Sequence, residues 1–489
     1  RVGYFGRLKI MNYDLIIVGT SFAASFFLKK YLEKSPTGVK VLVLERGKFL
    51  PHRERLAHAA SLPFGQVNFV SSESQGPLYF NDNEAKPWIF DPSFGGSSNC
   101  WTGCTPRFMP NDFKLFSTYG VGMDWPLSYE ELEPYYCEAE AIMAISGPDK
   151  TPYPMSKPYP QPAHKLTRMD AVLHNKYGEL YISQPTARSS VSGKRNQCCA
   201  SSICHLCPVS AKFTIENGLS DIYKDERVTL VYDTQVLSLD VTGGTVKGVH
   251  ARQTGKDVSF EGSAVALGAN SIFNAHILLS SGDTNSNTGK HLSEQVGFYT
   301  YVHLKDLDNV GGSTIITANG FMLHDVPSRK DAAGCIIESH NDTFVRAEKG
   351  KWRRIGKFKF VFEDIPQEGN MVTTSADPLI PQVVYKGHSE YVNKGYENAK
   401  KLMPELFSCL PVENIFPDQN YQASEAHILG TTRMSKDAAT GVIDRNLIHH
   451  TWRNVFVLGG GAFPAISPSN PTVTLSALSL MAADKIFGS

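Results

Sequence analysis

Apolar and polar positions change their period several times along the chain, and each change predicts an element. Asp14-Leu-Ile-Ile-Val18 is a short β-branched run without alternation, the pattern of a strand buried on both faces of a parallel sheet. Small residues follow at Gly19, Ser21 and Ala24. Residues 22 to 34 then read as a helix, and Val39 to Leu44 as a second strand that ends at Glu45. A later apolar run, Val455-Phe-Val-Leu458, leads into Gly459-Gly-Gly461 and then into a predicted amphipathic helix through Leu475, Leu478, Met481 and Ile486. Asn470 stands where it would cap that helix, with Pro471 at the first helical position.

The span from Phe298 to Lys386 is patterned differently. Lys357-Phe-Lys-Phe-Val-Phe362 and Pro381-Gln-Val-Val-Tyr385 alternate apolar and polar residues, which predicts an antiparallel sheet with one face packed and one wet. The Pro-rich stretch 148 to 163 reads as a surface excursion with little regular structure. The fold class is therefore α/β, α+β overall, with no internal repeat or low-complexity tract.

Composition narrows the function. A chain of 489 residues is long enough for one to three domains with a large core. With 42% hydrophobic and 20% charged residues and zero formal net charge, nothing favours a polyanionic partner such as nucleic acid. A small molecule is the expected ligand. Arg1, Arg7 and Lys9 ahead of Leu15 to Val18 and of Ala23 and Ala24 imitate a signal peptide, but Asp14, Gly19 and Thr20 interrupt the run, which suits a buried strand better. Residues before Met11 stand apart as a leader or an alternative start. No stretch reaches the roughly 20 apolar residues of a membrane helix.

The first segment has the chemistry of a nucleotide site. Gly19-Thr20-Ser21-Phe22-Ala23-Ala24 places small residues where the dinucleotide fingerprint has three glycines, although only the first glycine is present. Ser21 and Ala24 are still small enough to let a pyrophosphate approach the helix N-terminus. Glu45 lies about 20 residues on, where an acid accepts hydrogen bonds from a ribose diol. Near the other end, the three glycines after a strand again indicate close backbone approach to a ligand. His427 by itself has the standing of any satisfied histidine.

Taken together, four segments resemble the glucose-methanol-choline (GMC) oxidoreductase family over nearly the whole chain. Asp14 to Glu45 is similar to its FAD-binding turn, and Phe94-Gly95-Gly96-Ser97-Ser98-Asn99-Cys100-Trp101 to the loop beside the flavin. Ala264-Val-Ala-Leu-Gly268-Ala-Asn270-Ser271 through Gly282 is similar to the internal signature near the adenine. His427-Ile-Leu-Gly430-Thr431 and Asn470-Pro471-Thr472 are similar to the C-terminal signature. The resemblance implies that His427 is the catalytic base and Asn470 its partner, with hydride leaving to flavin N5. It implies FAD contacts from Gly19, Ser21, Phe22, Ala23, Ala24, Glu45, Arg46, Gly95, Gly96, Ser97, Asn99, Cys100, Val236, Ala269, Gly460, Gly461, Asn470, Pro471 and Thr472. Where some relatives carry a flavin-linking histidine this chain has Cys100, so a noncovalent FAD is expected.

Four of the nine cysteines crowd into Cys198-Cys199-Ala-Ser-Ser-Ile-Cys204-His205-Leu-Cys207-Pro208. Such crowding points to disulfides, to zinc with His205 as a further ligand, or to iron-sulfur, whose ligand runs close on Cys-x-x-Cys-Pro. Residues Met109 to Lys114, Tyr119 to Gly122, Asp124-Trp-Pro126 and Leu132 to Tyr136 resemble the FAD-containing catalytic subunit of bacterial sugar (glucose) dehydrogenases. Those subunits carry a comparable run that holds a three-iron cluster. By that likeness Cys198, Cys199 and Cys204 are ligands, while Cys207 comes one residue early. Whether it ligates, and whether the cluster is 3Fe-4S or 4Fe-4S, stays open.

The resemblance further implies a discontinuous FAD-binding domain of Rossmann type from 11–50, 85–115, 195–290 and 420–489. A substrate-binding domain built on the antiparallel sheet takes 51–84, 116–194 and 291–419, and its polar face helps choose the substrate. The leading expectation is a dehydrogenase of a sugar or polyol hydroxyl that passes electrons through an iron-sulfur cluster to a cytochrome or other carrier subunit, with a small chaperone-like subunit alongside. Alternatives are a cluster-free oxidase or quinone-dependent dehydrogenase, a flavin-bound lyase, and a non-catalytic scaffold subunit. A bacterial periplasmic complex and the cytoplasm both stay open as locations.

Overall fold

The computed structural model of the chain describes residues 12–61, 77–342 and 344–488. The residues ahead of Met11 and part of the 51–84 segment lie outside them. The first layer is a five-stranded parallel sheet in the spatial order Val455–Val457, Val265–Leu267, Leu15–Val18, Val41–Leu44, Val228–Val231. Leu15–Val18 is central and buried at every position, as its unbroken apolar run requires. Phe22–Lys34 follows it as a helix with Ser21 as N-cap, and Val41–Leu44 follows that.

A three-stranded antiparallel meander, Thr234–Thr242, Thr245–Gln253 and Lys256–Glu261, continues from the edge of this sheet. Its two turns run through positive φ, at Gly243 and Gly244 and at Thr254 and Gly255, the conformation that tight hairpins demand.

The C-terminal helix Thr472–Phe487 packs against both Phe22–Lys34 and Tyr129–Met143. Sandwiched in this way, it is buried through Thr474 and from Ser476 to Ala483 rather than on one stripe only, so the amphipathic helix expected from the sequence is in fact a core helix. Ser476 and Ser479 survive there because their hydroxyls donate to Thr472 O and Leu475 O one turn back, at 2.8 and 2.9 Å.

The second body is a six-stranded antiparallel sheet, ordered Val412–Pro417, Val296–Leu304, Ile355–Phe362, Cys335–His340, Ile316–Leu323, Tyr181–Ser183. One face, with Phe298, Phe358, Phe360 and Ile337, packs with Val392, Tyr396 and Met403 of the helix Glu390–Leu406. The opposite face carries Tyr299, Lys359, Glu338 and Asn319 in one register row. This second face is not wet. Glu338 and Asn319 are buried, Tyr299 and Lys359 half-buried, and Lys359 is ion-paired with Glu425 of the segment that leads into His427.

Two expectations from alternation and composition are corrected. Gln382–Val384 leaves the large sheet and pairs instead with Met371–Thr373 and Phe80–Asn81. It does so because Val383 and Tyr385 close a separate apolar cluster with Trp88, Phe90, Ile272 and Phe273. The 148–163 stretch has almost no regular structure, as predicted, yet Tyr153 and Tyr159 turn inward, with their hydroxyls 2.8 Å apart.

Candidate functional site

Gly19 ends the first strand at φ +90°, and a Cβ there would stand 2.8 Å from Gly268 O. Glycine is thus required twice, by conformation and by closeness to the neighbouring strand. The fingerprint's third glycine is replaced by Ala24, and the room is recovered across the interface. Gly268 faces Ala24, and a Cβ on Gly268 would come 2.7 Å from the Ala24 methyl. Ser21 accepts a hydrogen bond from Ala24 N–H at 3.4 Å and donates to Gly268 O at 2.8 Å, locking the helix start over the sheet.

Thr20, which sequence reasoning did not single out, ties three segments together. Its N–H and Oγ1 donate to Glu45 Oε2 at 3.1 and 2.6 Å, and its Oγ1 accepts from Gly95 N–H at 2.8 Å. Glu45 also accepts from Gly47 N–H at 2.9 Å. Burial raises the Glu45 carboxyl above its ordinary range, against these hydrogen bonds, which favour the charged form. Thr20 and Glu45 border a cavity lined further by Ser97, Val236, Ala269 and Phe273. Into this region fall two buried polar atoms without partners, Arg46 Nη1 and His276 Nε2. Arg46 donates from Nη2 to Gln235 Oε1 at 3.2 Å and lies over the Phe273 ring, 4.8 Å from its centroid. A turn at a helix start, an acid at the next strand end and a spare guanidinium nitrogen suit a dinucleotide carrying a ribose diol and phosphates.

A second cavity shares Ser21, Phe90, Ser97 and Asn270 with the first, so the two form one continuous cleft. Phe22, Ala23, Cys100 and Trp101 border it on one side, and Gly460, Pro471 and Thr472 on the other. Gly460 leaves no room for a side chain, since a Cβ would lie 2.7 Å from Leu429. Four residues expected at the cofactor stand behind this lining. Ala24 packs on Gly268, Gly95 bonds Thr20, Asn99 donates to Phe94 O at 2.9 Å, and Gly461 abuts Thr432.

His427 and Asn470 both border the second cavity. Asn470 does not cap the helix that follows: Pro471 holds the N-cap position with no side-chain hydrogen bond. Relieved of capping, Asn470 leaves its Oδ1 buried and unpartnered. His427 is half-buried at the cavity wall, with its backbone N–H on Glu294 Oε1 at 2.9 Å and its Nδ1 2.9 Å from Gln295 Oε1. Burial, helped by Lys359 and Lys86 against the opposing pull of Glu338, lowers the imidazole to about 4. It is neutral at ordinary pH. The arrangement offers a proton acceptor and an amide on the lining of one mostly apolar cleft, the composition expected of a small-molecule site.

The cysteine run lies in a loop near the cavity. Cys199 is exposed, Cys198 half-buried, and Cys204 and Cys207 buried. No disulfide links any of the nine cysteines. Cys207 Sγ accepts from Ala211 N–H at 3.3 Å, and burial pushes the Cys204 thiol up to about 12. Lys212 ties this loop to the cavity wall, donating to Asn99 O, Trp101 O and His205 O at 3.0, 2.8 and 3.1 Å. Among the described residues no three His, Cys, Asp or Glu side chains form a group that could hold a metal ion.

Comparison with known proteins agrees with this architecture. Residues 367–479 match the C-terminal family model described as GMC oxidoreductase. The fructose dehydrogenase large subunit of Gluconobacter japonicus is 25% identical over 98% of this chain and 98% of its own length. Paromamine 6'-oxidase of Streptomyces fradiae is 24% identical over 100% of this chain and 94% of its own. Among solved structures, pyridoxine 4-oxidase from Mesorbium loti superposes with a TM-score of 0.64 at 14% identity, covering 98% of this chain and all of that one. No helix among the described residues is long and apolar enough to cross a membrane.

Proposed function

From a chain that resembles GMC oxidoreductases along its length and is an oxidoreductase of CH-OH donors, we propose an FAD-dependent dehydrogenase of a sugar or polyol hydroxyl. The observation that carries the reading is that one cavity is lined both by a neutral His427 and by an Asn470 whose carbonyl oxygen has no partner. FAD, when bound, supplies the hydride acceptor at flavin N5. His427 takes the hydroxyl proton, and Asn470 orients the hydroxyl and steadies the charge that develops on its oxygen. Relatives named for fructose and paromamine support a carbohydrate-like substrate. Cys100 supports a noncovalent flavin, because burial pushes its thiol up to about 11 and keeps it protonated.

Anaerobic mixing with a panel of aldoses, ketoses and polyols is expected to bleach the flavin stoichiometrically for at least one of them. Because the His427 imidazole sits at about 4, the rate of bleaching stays level through neutral pH and falls only as pH drops through that value. A fall centred near the unperturbed histidine value of about 6.5 would remove His427 as the buried base.

That no three His, Cys, Asp or Glu side chains among the described residues form a metal-holding group favours a second reading of how electrons leave, in which the reduced cofactor is reoxidised directly by a quinone or dioxygen. Iron and acid-labile sulfide per flavin are expected near zero. Three or four irons per flavin would restore the cluster and a carrier subunit.

A further inference from the structure

We propose that Gln295 is a positioning residue that fixes the tautomer of His427 and couples it to the Asn470 segment, an inference that rests on the base assignment above. The connection begins in the backbone. Ser293 and Leu429 exchange both hydrogen bonds, Ser293 N–H to Leu429 O at 3.0 Å and Leu429 N–H to Ser293 O at 2.9 Å, as an antiparallel bridge. Two residues along each strand, that register sets Gln295 opposite His427 on the same side. The side chains meet there, with Gln295 Oε1 2.9 Å from His427 Nδ1.

The direction of that hydrogen bond follows from the rest of the amide. Gln295 Nε2 donates to Ser467 O and to Ser469 O, each at 3.0 Å, so its NH2 group is committed to two carbonyls and its Oε1 is left as an acceptor. His427 Nδ1 must then carry the hydrogen and donate it. The lone pair is on Nε2, the nitrogen available to a substrate. An amide partner is also uncharged, so it holds the ring without favouring the imidazolium as a carboxylate would. That agrees with an imidazole lowered to about 4.

Gln295 is 2% exposed, and Ser467 and Ser469 are fully buried. By holding Ser467 and Ser469, Gln295 also fixes the backbone that delivers Asn470 one residue later. Its neighbour Glu294 works on the opposite side of the same strand, accepting from Ser424 Oγ, Glu425 N–H and His427 N–H at 2.8, 2.9 and 2.9 Å. One dipeptide thus grips both halves of the site.

The test is stopped-flow flavin reduction against pH in the holoenzyme, for wild type, Gln295→Glu and Gln295→Met, with flavin content and thermal midpoint measured alongside. Gln295→Glu places a carboxylate on Nδ1–H and is expected to move the acid limb up by roughly 1–3 pH units. Gln295→Met keeps length and packing but accepts no hydrogen bond, and is expected to slow reduction roughly 10–100-fold with flavin retained. A wild-type acid limb in Gln295→Glu, or a wild-type rate in Gln295→Met, overturns the proposal. If Gln295→Glu fails to fold, Gln295→Met still decides it. Loss of the base assignment itself would show differently, as undiminished flavin reduction in a variant lacking the His427 ring.

Discussion

Flavin reduction in His427→Ala is expected to be slower than in wild type by roughly 10²–10⁴-fold, the usual worth of a positioned general base, with flavin content unchanged. The retention of flavin matters as much as the loss of rate. His427 borders only one of the two connected cavities, and Gly19, Thr20 and Glu45, which suit the phosphates and ribose, border only the other. Removing the imidazole leaves the Gln295 Oε1 acceptor buried with no donor, so some loss of thermal stability accompanies the change, but the glycine turn and the parallel sheet do not depend on it. Anaerobic stopped-flow mixing with the best substrate, followed by the flavin absorbance, measures the rate. Reduction at the wild-type rate would place the proton acceptor elsewhere.

The second large effect is on stability. Arg329 is fully buried, its Nε donating to Glu363 Oε1 at 2.7 Å and its Nη2 to Asp112 Oδ1 at 2.6 Å. Asp112 in turn accepts from Met109 N–H and from Ser467 Oγ at 2.7 and 2.6 Å, and lies 3.1 Å from His324 Nε2. Burial alone would raise the Asp112 carboxyl, but His324 and Arg329 outweigh it and hold the group well below the usual carboxylate range. Arg329→Leu strands two buried carboxylates, at a cost of roughly 3–5 kcal/mol. A large fall in the thermal midpoint is therefore expected. Because Ser467 hangs from Asp112 and lies three residues before Asn470, the surviving folded fraction is also expected to reduce its flavin more slowly. A midpoint within a degree or two of wild type would mean that the network is not a structural joint. The depressed pKa gives a further sign to check. The stability it contributes is fully present above the ordinary carboxylate pKa of about 4 and is lost as pH falls through the native value.

Much of the frame was legible in the chain. Leu15 to Val18, the helix from Phe22 to Lys34 and the alternation of Lys357 to Phe362 stand in the structure as they read in the sequence. Hydrophobic period, capping serine and glycine at positive φ are local properties, decided within a turn or a strand. Gly19, Ser21, Glu45 and Gly460, whose local patterns suggest close approach to a ligand, border the cleft, and Ser97, singled out only through the resemblance, borders it too.

What failed to read locally was whatever depended on a distant neighbour. Capping by Asn470 was a sound inference from its position before Pro471 and Thr472, but the chain entering that helix is held by Gln295, and the asparagine is turned to the cavity instead. The C-terminal helix looked amphipathic because nothing in its own sequence announces two helices packed against it. Gln382–Val384 alternates like a strand of the large sheet, and only the apolar cluster under Val383 sends it elsewhere.

The sequence by itself therefore determined the parallel βαβ start, the glycine-lined cleft and the residue types available for chemistry, because these follow from side-chain period and backbone freedom. Tertiary structure alone decided how the site is wired. The Gln295 to His427 hydrogen bond spans 132 positions and the Ser467 to Asp112 bond 355. Such pairings arise from strand register and from the need to satisfy buried polar groups, and neither leaves a trace in the local pattern.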